Sequence, residues 1–150
     1  MIDLRRTAAP WRVLFVAAFV LSAGPARSQS NFQVVVPAST PGGQIKREML
    51  RSIFLGELTR WTDGTPVRAV DQSLRSPVRA TFCESALGQT PSALNAYWSQ
   101  RVMSGRVTPP PVKTGDEEVM AFVRSNVGAI GYVAAGTATP EGVKVLKVVD

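Results

Sequence analysis

Short apolar, β-branched runs alternate with stretches of helical periodicity along most of this 150-residue chain, and that alternation limits the folds open to it. Four runs are typical of buried strands: residues 32–36 (FQVVV), 67–70, 129–133 (AIGYV) and 143–149 (VKVLKVV). The intervening segments 44–55, 76–88 and 90–103, and a segment beginning at Asp116, have helical periodicity. Alternating strands and helices pack as helices on both faces of one sheet. We therefore predict a three-layer α/β/α fold with a mixed or mainly parallel sheet.

Residues at the predicted helix ends support these boundaries. Ser76-Pro77 and Thr90-Pro91 each place a hydroxyl at the N-cap and a proline at the first helical position. Asp116 is predicted to cap the next helix, and Gly56 and Gly88 stand where a left-handed residue ends a helix. The apolar residues predicted to face inward are Ile45, Met49, Leu50, Ile53, Val78, Phe82, Ala86, Leu94, Tyr97, Trp98, Val102, Val119, Met120 and Val123.

The N-terminal segment has the layout of a secretory signal peptide. Arg5, Arg6 and Arg12 precede an apolar run, residues 13–23, and Ala26-Arg27-Ser28 supplies small residues for cleavage. An uncleaved membrane anchor is the alternative, but this run is shorter than the roughly 20 residues that span a bilayer. We expect residues 1–28 to be removed and residues 29–150 to form one domain. The protein is then periplasmic or secreted, without stable membrane insertion after processing.

Charge and composition exclude several function classes. The whole chain has a formal charge of +6, but residues 29–150 have 13 basic and 10 acidic side chains, scattered along the sequence. A net charge of +3 without a basic cluster does not indicate nucleic-acid binding. The chain has no histidine, and its one cysteine, Cys83, stands in an apolar helical context. We therefore predict no catalytic residue, no metal site, no cofactor and no enzyme activity.

The start of the helix at residues 76–88 is a candidate anion site. A helix N-terminus presents unpaired N–H groups and positive dipole charge, here beside the Ser76 hydroxyl and the Arg79 guanidinium. Asp71 and Ser73 lie just upstream, where a loop leaves a strand. Phosphate would receive hydrogen bonds from N–H groups and a hydroxyl, charge from arginine, and an acceptor for its proton from Asp71.

A purely structural role is the alternative for these residues, because Ser-Pro is a common helix start and Arg79 can pair with Glu84 or Asp71. The anion hypothesis requires Ser76 and Arg79 on one side of the helix, with solvent-accessible N–H groups on Val78 and Arg79. It also requires Arg79→Ala to leave the melting temperature nearly unchanged. A buried, ion-paired Arg79 would contradict it.

Several motifs together resemble the phosphate-type periplasmic substrate-binding proteins, in particular their short, single-lobe relatives. In order they are IFLG, TRWTDGTPV, VDQ, SPVRATF, YWSQRVMSGR, PPP and GAIGYV, spanning about residues 34–146. The resemblance implies one lobe of a type 2 periplasmic-binding-protein fold, with Asp71, Ser76 and Arg79 on the second-lobe loop that contributes to the phosphate site. This sequence departs from the family pattern in two ways, which limits how much of the phosphate site the resemblance implies. Ser76 is flanked by Arg75 and Pro77 rather than glycine, and the Gly/Ser-rich first-lobe loop has no counterpart.

Two functions follow. The first is weak binding of phosphate or a similar small oxyanion through Asp71, Ser73, Ser76 and Arg79. The second is a ligandless interaction or scaffold module for an envelope protein partner. Trp61 and Trp98 would belong to a partner surface in the second case, although a role in the core is favoured for both.

Overall fold

A computed structural model describes residues 31–105 and 107–150, so the predicted signal peptide lies outside the described residues. The strands are β1 Phe32–Pro37, β2 Gln44–Lys46, β3 Arg68–Ala69, β4 Asp71–Gln72, β5 Val112–Lys113, β6 Ala129–Ala134 and β7 Val143–Val149. The helices are α1 Arg47–Phe54, α2 Pro77–Phe82, α3 Pro91–Met103 and α4 Asp116–Ser125, with a π-helical turn at Cys83–Leu87 after α2. No helix in these two ranges is both long and apolar enough to cross a bilayer.

Five strands form one mixed sheet in the order β2-β7-β1-β6-β3. β1 occupies the centre and is antiparallel to both neighbours, with Val34 opposite Tyr132 of β6 and Leu146 of β7. The edge strands β2 and β3 are parallel to β7 and β6. The predicted sheet is therefore confirmed in its mixed form.

Helices cover both faces of this sheet, which confirms the three-layer prediction. The side chains of β1 alternate between two cores, as they must in a strand buried on both faces. Val34 and Val36 belong to the larger core, built with α1, α2 and α3. Val35 belongs to the smaller core, where α4 packs. Gly131 of β6 allows close packing there, since a Cβ at this position would lie 2.6 Å from Val119 Cγ1.

Most predicted elements are present, with corrections at their ends. The helix predicted from residue 44 begins at Arg47, because Gln44–Lys46 instead pairs with β7. Strand 67–70 is shorter than predicted, and the chain continues after a bend as β4. Helix 76–88 changes from α to π geometry at Cys83 before it ends at Gly88, whose φ is +67°.

Two side-chain predictions for α3 and α4 are wrong. Val102 was expected inside but lies in the last turn of α3, past the core, and is 48% exposed. Asp116 is not a cap: Gly115 is the N-cap and Asp116 is the first residue of α4. Trp98 and Cys83 are buried as predicted, and the half-buried Trp61 packs against the larger core. Trp61 also donates from Nε1 to the Gly128 carbonyl at 3.0 Å, which anchors its turn.

Candidate functional site

Strand β4 and helix α2 bring Asp71 and Arg79 together in a buried ion pair. Arg79 Nε lies 3.2 and 3.1 Å from the two Asp71 carboxylate oxygens, and Nη2 lies 2.8 Å from Oδ2. The Arg79 side chain is 4% exposed and that of Asp71 is 8% exposed. Such bidentate geometry compensates for removing both charges from water. The expectation of a solvated Arg79 is therefore wrong, and the pairing named as its alternative is what the structure shows.

The N–H groups at the start of α2 are also less available than predicted. The Arg79 N–H donates to the Ser76 carbonyl at 3.2 Å, and the Ser76 N–H donates to the Ser73 carbonyl at 2.9 Å. Helix α2 continues for six residues before the π-helical turn. The prediction of a free Arg79 N–H at an open helix start is wrong.

Ser76 and Ser73 take structural roles in the same loop. The Ser76 hydroxyl donates to Gln72 Oε1 at 2.6 Å and makes no capping bond to α2. The Ser73 N–H donates to the Lys113 carbonyl at 2.8 Å, which extends the β4–β5 pairing. Of the four predicted site residues, the structure thus joins Asp71 to Arg79 and places both serines in the hydrogen bonding of the loop.

The ion pair also bonds to two residues that were not predicted as site residues. The Tyr132 hydroxyl donates to Asp71 Oδ1, and Arg79 Nη2 donates to Asn95 Oδ1 at 3.0 Å. The sequence signal for Tyr132 was available: a tyrosine in a fully buried strand needs a hydrogen-bond partner. Asn95 gave no such signal, because it lies on α3, far from Asp71 in sequence.

Burial and charge perturb the ionisation of this network. Burial raises the pKa of Tyr132 far above its ordinary value, and the Asp71 carboxylate raises it further. Burial alone would lower the pKa of Arg79, but the hydrogen bonds and charge of Asp71 outweigh it and the pKa rises. The guanidinium and the phenol therefore keep their protons throughout the physiological range.

Gln72 extends the network to α4. Its Nε2 donates to Asp116 Oδ1 and to the Tyr132 carbonyl, both at 2.8 Å. Asp116 Oδ2 accepts from the Ala134 N–H at 3.1 Å and from the Thr137 hydroxyl at 3.0 Å. These bonds connect β4 and α4 to the C-terminal half of β6, which supports Asp71.

An open groove of about 550 Å³ lies beside the ion pair, and we call it the Arg79 groove. It is lined by Asp71, Arg79, Asn95, Trp98, Ser99, Val102, Met103, Pro109, Pro110 and Val112. Its rim is apolar and exposed: Met103 is 87% accessible and Val112 59%. The groove has a small polar base within mostly apolar walls.

Neither the cysteine thiol nor any group of possible metal ligands among the described residues indicates a reactive site. Burial raises the pKa of the Cys83 thiol to about 11, so it remains protonated at neutral pH. Within residues 31–105 and 107–150 no three His, Cys, Asp or Glu side chains are grouped as a metal site. The groove can therefore donate and accept hydrogen bonds and bury apolar groups.

Solved structures of phosphate-transport proteins have a fold similar to that of this chain. An ABC-type phosphate transport receptor from Vibrio cholerae is 21% identical, with a TM-score of 0.61, and the match covers 79% of this chain and 46% of that one. Fold similarity at this identity confirms the predicted periplasmic-binding-protein-like architecture.

Two further solved structures have a similar fold. One is a putative phosphate ABC transporter substrate-binding protein with bound phosphate from Clostridium perfringens. It is 19% identical with a TM-score of 0.63, and the match covers 79% of this chain and 44% of that one. The other is PstS from Borrelia burgdorferi, 16% identical with a TM-score of 0.61, covering 79% and 47%. This chain thus spans less than half the length of these proteins. Neither a protein-family model nor a curated protein sequence matches it.

Proposed function

We propose that this chain is an exported periplasmic-binding-protein-like domain that serves as an interaction module for an envelope protein. One observation carries the proposal: Arg79, the cation on which an oxyanion site at α2 depends, is buried and bidentate with Asp71. The pair has no net charge, so it offers a phosphate dianion little compensation for its lost hydration. The exposed apolar rim of the Arg79 groove is instead suited to a protein surface.

The buried ion pair contradicts an anion site at the start of α2, so weak binding of phosphate or a similar oxyanion within the groove is only the second candidate. It is favoured by one feature of the groove, namely that Arg79 and Asp71 both line it. A protonated phosphate would donate to Asp71 and accept from Arg79, whereas Ser73 and Ser76 are not among the residues that line the groove. The phosphate-transport proteins with the same fold add support at the level of class. No other Lys or Arg lines the groove among the described residues, so we expect affinity in the millimolar range or weaker.

Export is proposed on the basis of the leader sequence. The basic residues, the apolar run and the cleavage motif of residues 1–28 predict a mature protein that begins near Gln29. Intact-mass measurement of the protein from the native host tests this directly. A mass that still includes residues 13–23, together with recovery in the membrane fraction, would contradict export and processing.

Calorimetric titration of the processed protein with phosphate and with sulfate separates the two functions. The interaction module predicts no saturable heat even at anion concentrations about tenfold above the millimolar range expected for the second candidate. Saturable heat that is lost in Arg79→Lys, with the fold retained by circular dichroism, would establish the second candidate instead.

A photo-crosslinking residue provides the positive test of the module. Placed at Met103 on the groove rim and expressed in the native host, it should yield one discrete adduct with an envelope protein. The matched control is Val127, which is 75% exposed and lies outside the groove lining. Equal labelling from both positions, or none from Met103, would argue against the module.

A further inference from the structure

The floor of the Arg79 groove contains a hydrogen-bond donor, the Arg79 guanidinium, whose positive charge is balanced by Asp71. Nε and Nη2 of Arg79 are used by Asp71 and Asn95, whereas Nη1 donates to no residue that the structure describes. Arg79 lines the groove, although its side chain is only 4% exposed. A donor on a neutralised pair suits an uncharged carbonyl oxygen better than an anion.

One side of the groove continues into an open strand edge. β5 pairs only with β4 among the described strands. The Pro111 and Lys113 carbonyls accept from Asp71 and Ser73, so these two residues direct their hydrogen-bonding groups towards β4. Residues alternate along a strand, and the N–H and C=O of Val112 therefore point to the opposite, unpaired side. An unpaired edge is a template for an added strand.

The groove walls complete the recognition surface. Val112 lines the groove with its side chain, and Val102 and Met103 stand opposite on the last turn of α3. These three apolar side chains are exposed, and Pro109 and Pro110 extend the wall along the chain that leads into β5. An occupant in contact with this wall buries apolar side chains on one face.

We infer that the Arg79 groove binds an uncharged, apolar, extended peptide segment of a partner protein, which adds as a strand to the free edge of β5. Its backbone pairs with Val112, and its alternate apolar side chains contact Val102 and Met103. This inference rests on the proposed interaction module and identifies the chemistry of the partner. An anionic segment is disfavoured, because Asp71 balances the only basic side chain that lines the groove in the described part of the chain.

Phage-displayed random dodecapeptides, selected on the processed wild-type protein at physiological salt, supply the probe. The strongest sequence is synthesised with acetylated and amidated ends, and its binding is measured by fluorescence anisotropy. Val102→Lys introduces a charge on the wall, with Val127→Lys as its matched control. Val112→Pro removes an N–H that points away from β4, with Val127→Pro as the control at an exposed turn outside the groove lining. Circular dichroism and thermal melts establish that each variant is folded.

The expected result is a set of peptides in which apolar β-branched residues alternate along the sequence. Affinity should fall about tenfold or more in Val102→Lys and Val112→Pro and stay within about twofold in the two controls. Hydrogen exchange at the Val112 amide should slow in the complex. Phosphate at millimolar concentration should not displace the peptide.

Other outcomes overturn the inference. Peptides that bind Val102→Lys and Val112→Pro as well as wild type occupy another surface, and a selection without binders also refutes the peptide site. A dimer in sedimentation experiments that Val102→Lys dissociates would make a second copy the occupant. These results leave the interaction module standing. Displacement of the peptide by phosphate, with saturable phosphate heat, would contradict the module itself.

Discussion

The Asp71–Arg79 pair leads to a quantitative prediction that reverses the one drawn from the sequence. An exposed Arg79 could be replaced with little effect on folding, but a buried and bidentate Arg79 cannot. We consider Arg79→Met, which keeps much of the side-chain volume and removes the charge. The change leaves the Asp71 carboxylate buried, with Tyr132 and the Gln72 N–H as its remaining donors.

The expected loss follows from the burial of both partners. Removing one member of a buried ion pair costs about 3–5 kcal/mol in the free energy of unfolding. For a domain of about 120 residues, each kcal/mol corresponds to about 4 °C in melting temperature. Arg79→Met should therefore lower the melting temperature by about 12–20 °C. Arg75, exposed four residues earlier, is the matched control, and Arg75→Met should change stability by about 0.5 kcal/mol or less.

A double variant distinguishes a broken ion pair from a general packing defect. Asp71→Asn removes the second charge while its side-chain oxygen can still accept from Tyr132 and the Gln72 N–H. Replacing a whole buried pair is far less costly than breaking it, so Asp71→Asn/Arg79→Met should recover about 1–3 kcal/mol relative to Arg79→Met. Urea unfolding followed by tryptophan fluorescence gives the four free energies of the cycle. If Arg79→Met melts within two or three degrees of Arg75→Met, or if the cycle shows no coupling, the buried pair does not exist in solution and the reasoning is refuted.

Three further predictions concern single residues. Ser76→Ala should cost about 1–3 kcal/mol, because the buried Gln72 Oε1 loses its donor rather than because α2 loses a cap; full stability in a urea titration would contradict this. Gly128→Ala should be more destabilising than Gly136→Ala by about 1–3 kcal/mol. Both glycines have positive φ, but only at Gly128 would the new Cβ clash with a backbone atom, the Pro66 carbonyl oxygen at 2.1 Å. Equal melting temperatures of the two variants would exclude that clash. Cys83 should react with a thiol reagent only on unfolding. Because its folded pKa of about 11 exceeds the ordinary value of 9.0, the unfolded state binds fewer protons above pH 9, and stability should fall there as pH rises; Cys83→Ala should show a shallower fall, and an unchanged slope would contradict the raised pKa.

The elements that the sequence predicted well are those with long or strongly patterned runs. β1, α3, β6 and β7 lie close to their expected positions, because apolar periodicity over six or more residues reflects the face they bury. Gly56 and Gly88 have positive φ at helix ends, as glycine at a C-cap indicates. These features depend on local sequence and on burial alone.

The errors depend on partners that are distant in the sequence. β2 was assigned to a helix because three residues carry no strand period, and only β7 makes them a strand. Arg79 was expected in solvent, because helical spacing gives the side of α2 it occupies but not the carboxylate that lies there. Tyr132 and Asn95 were not predicted as site residues, because each bonds to a residue that is distant in the sequence. Local pattern thus grouped Asp71 with Arg79 but could not show that their charges form a buried pair.

The position of β1 in the sheet also determines when the protein can fold. The central strand is the first of the described strands, but both strands beside it come from the other end: Phe32 pairs with Ala134, and Pro37 with Val143. Pairing across roughly a hundred residues makes loop closure costly and slows folding. A chain that emerges N-terminus first from a ribosome or a translocation pore therefore keeps β1 without a neighbouring strand until β6 appears, and without its second neighbour until β7 appears. Folding then follows delivery of almost the whole polypeptide, so a chain in transit stays extended enough to pass through a narrow channel.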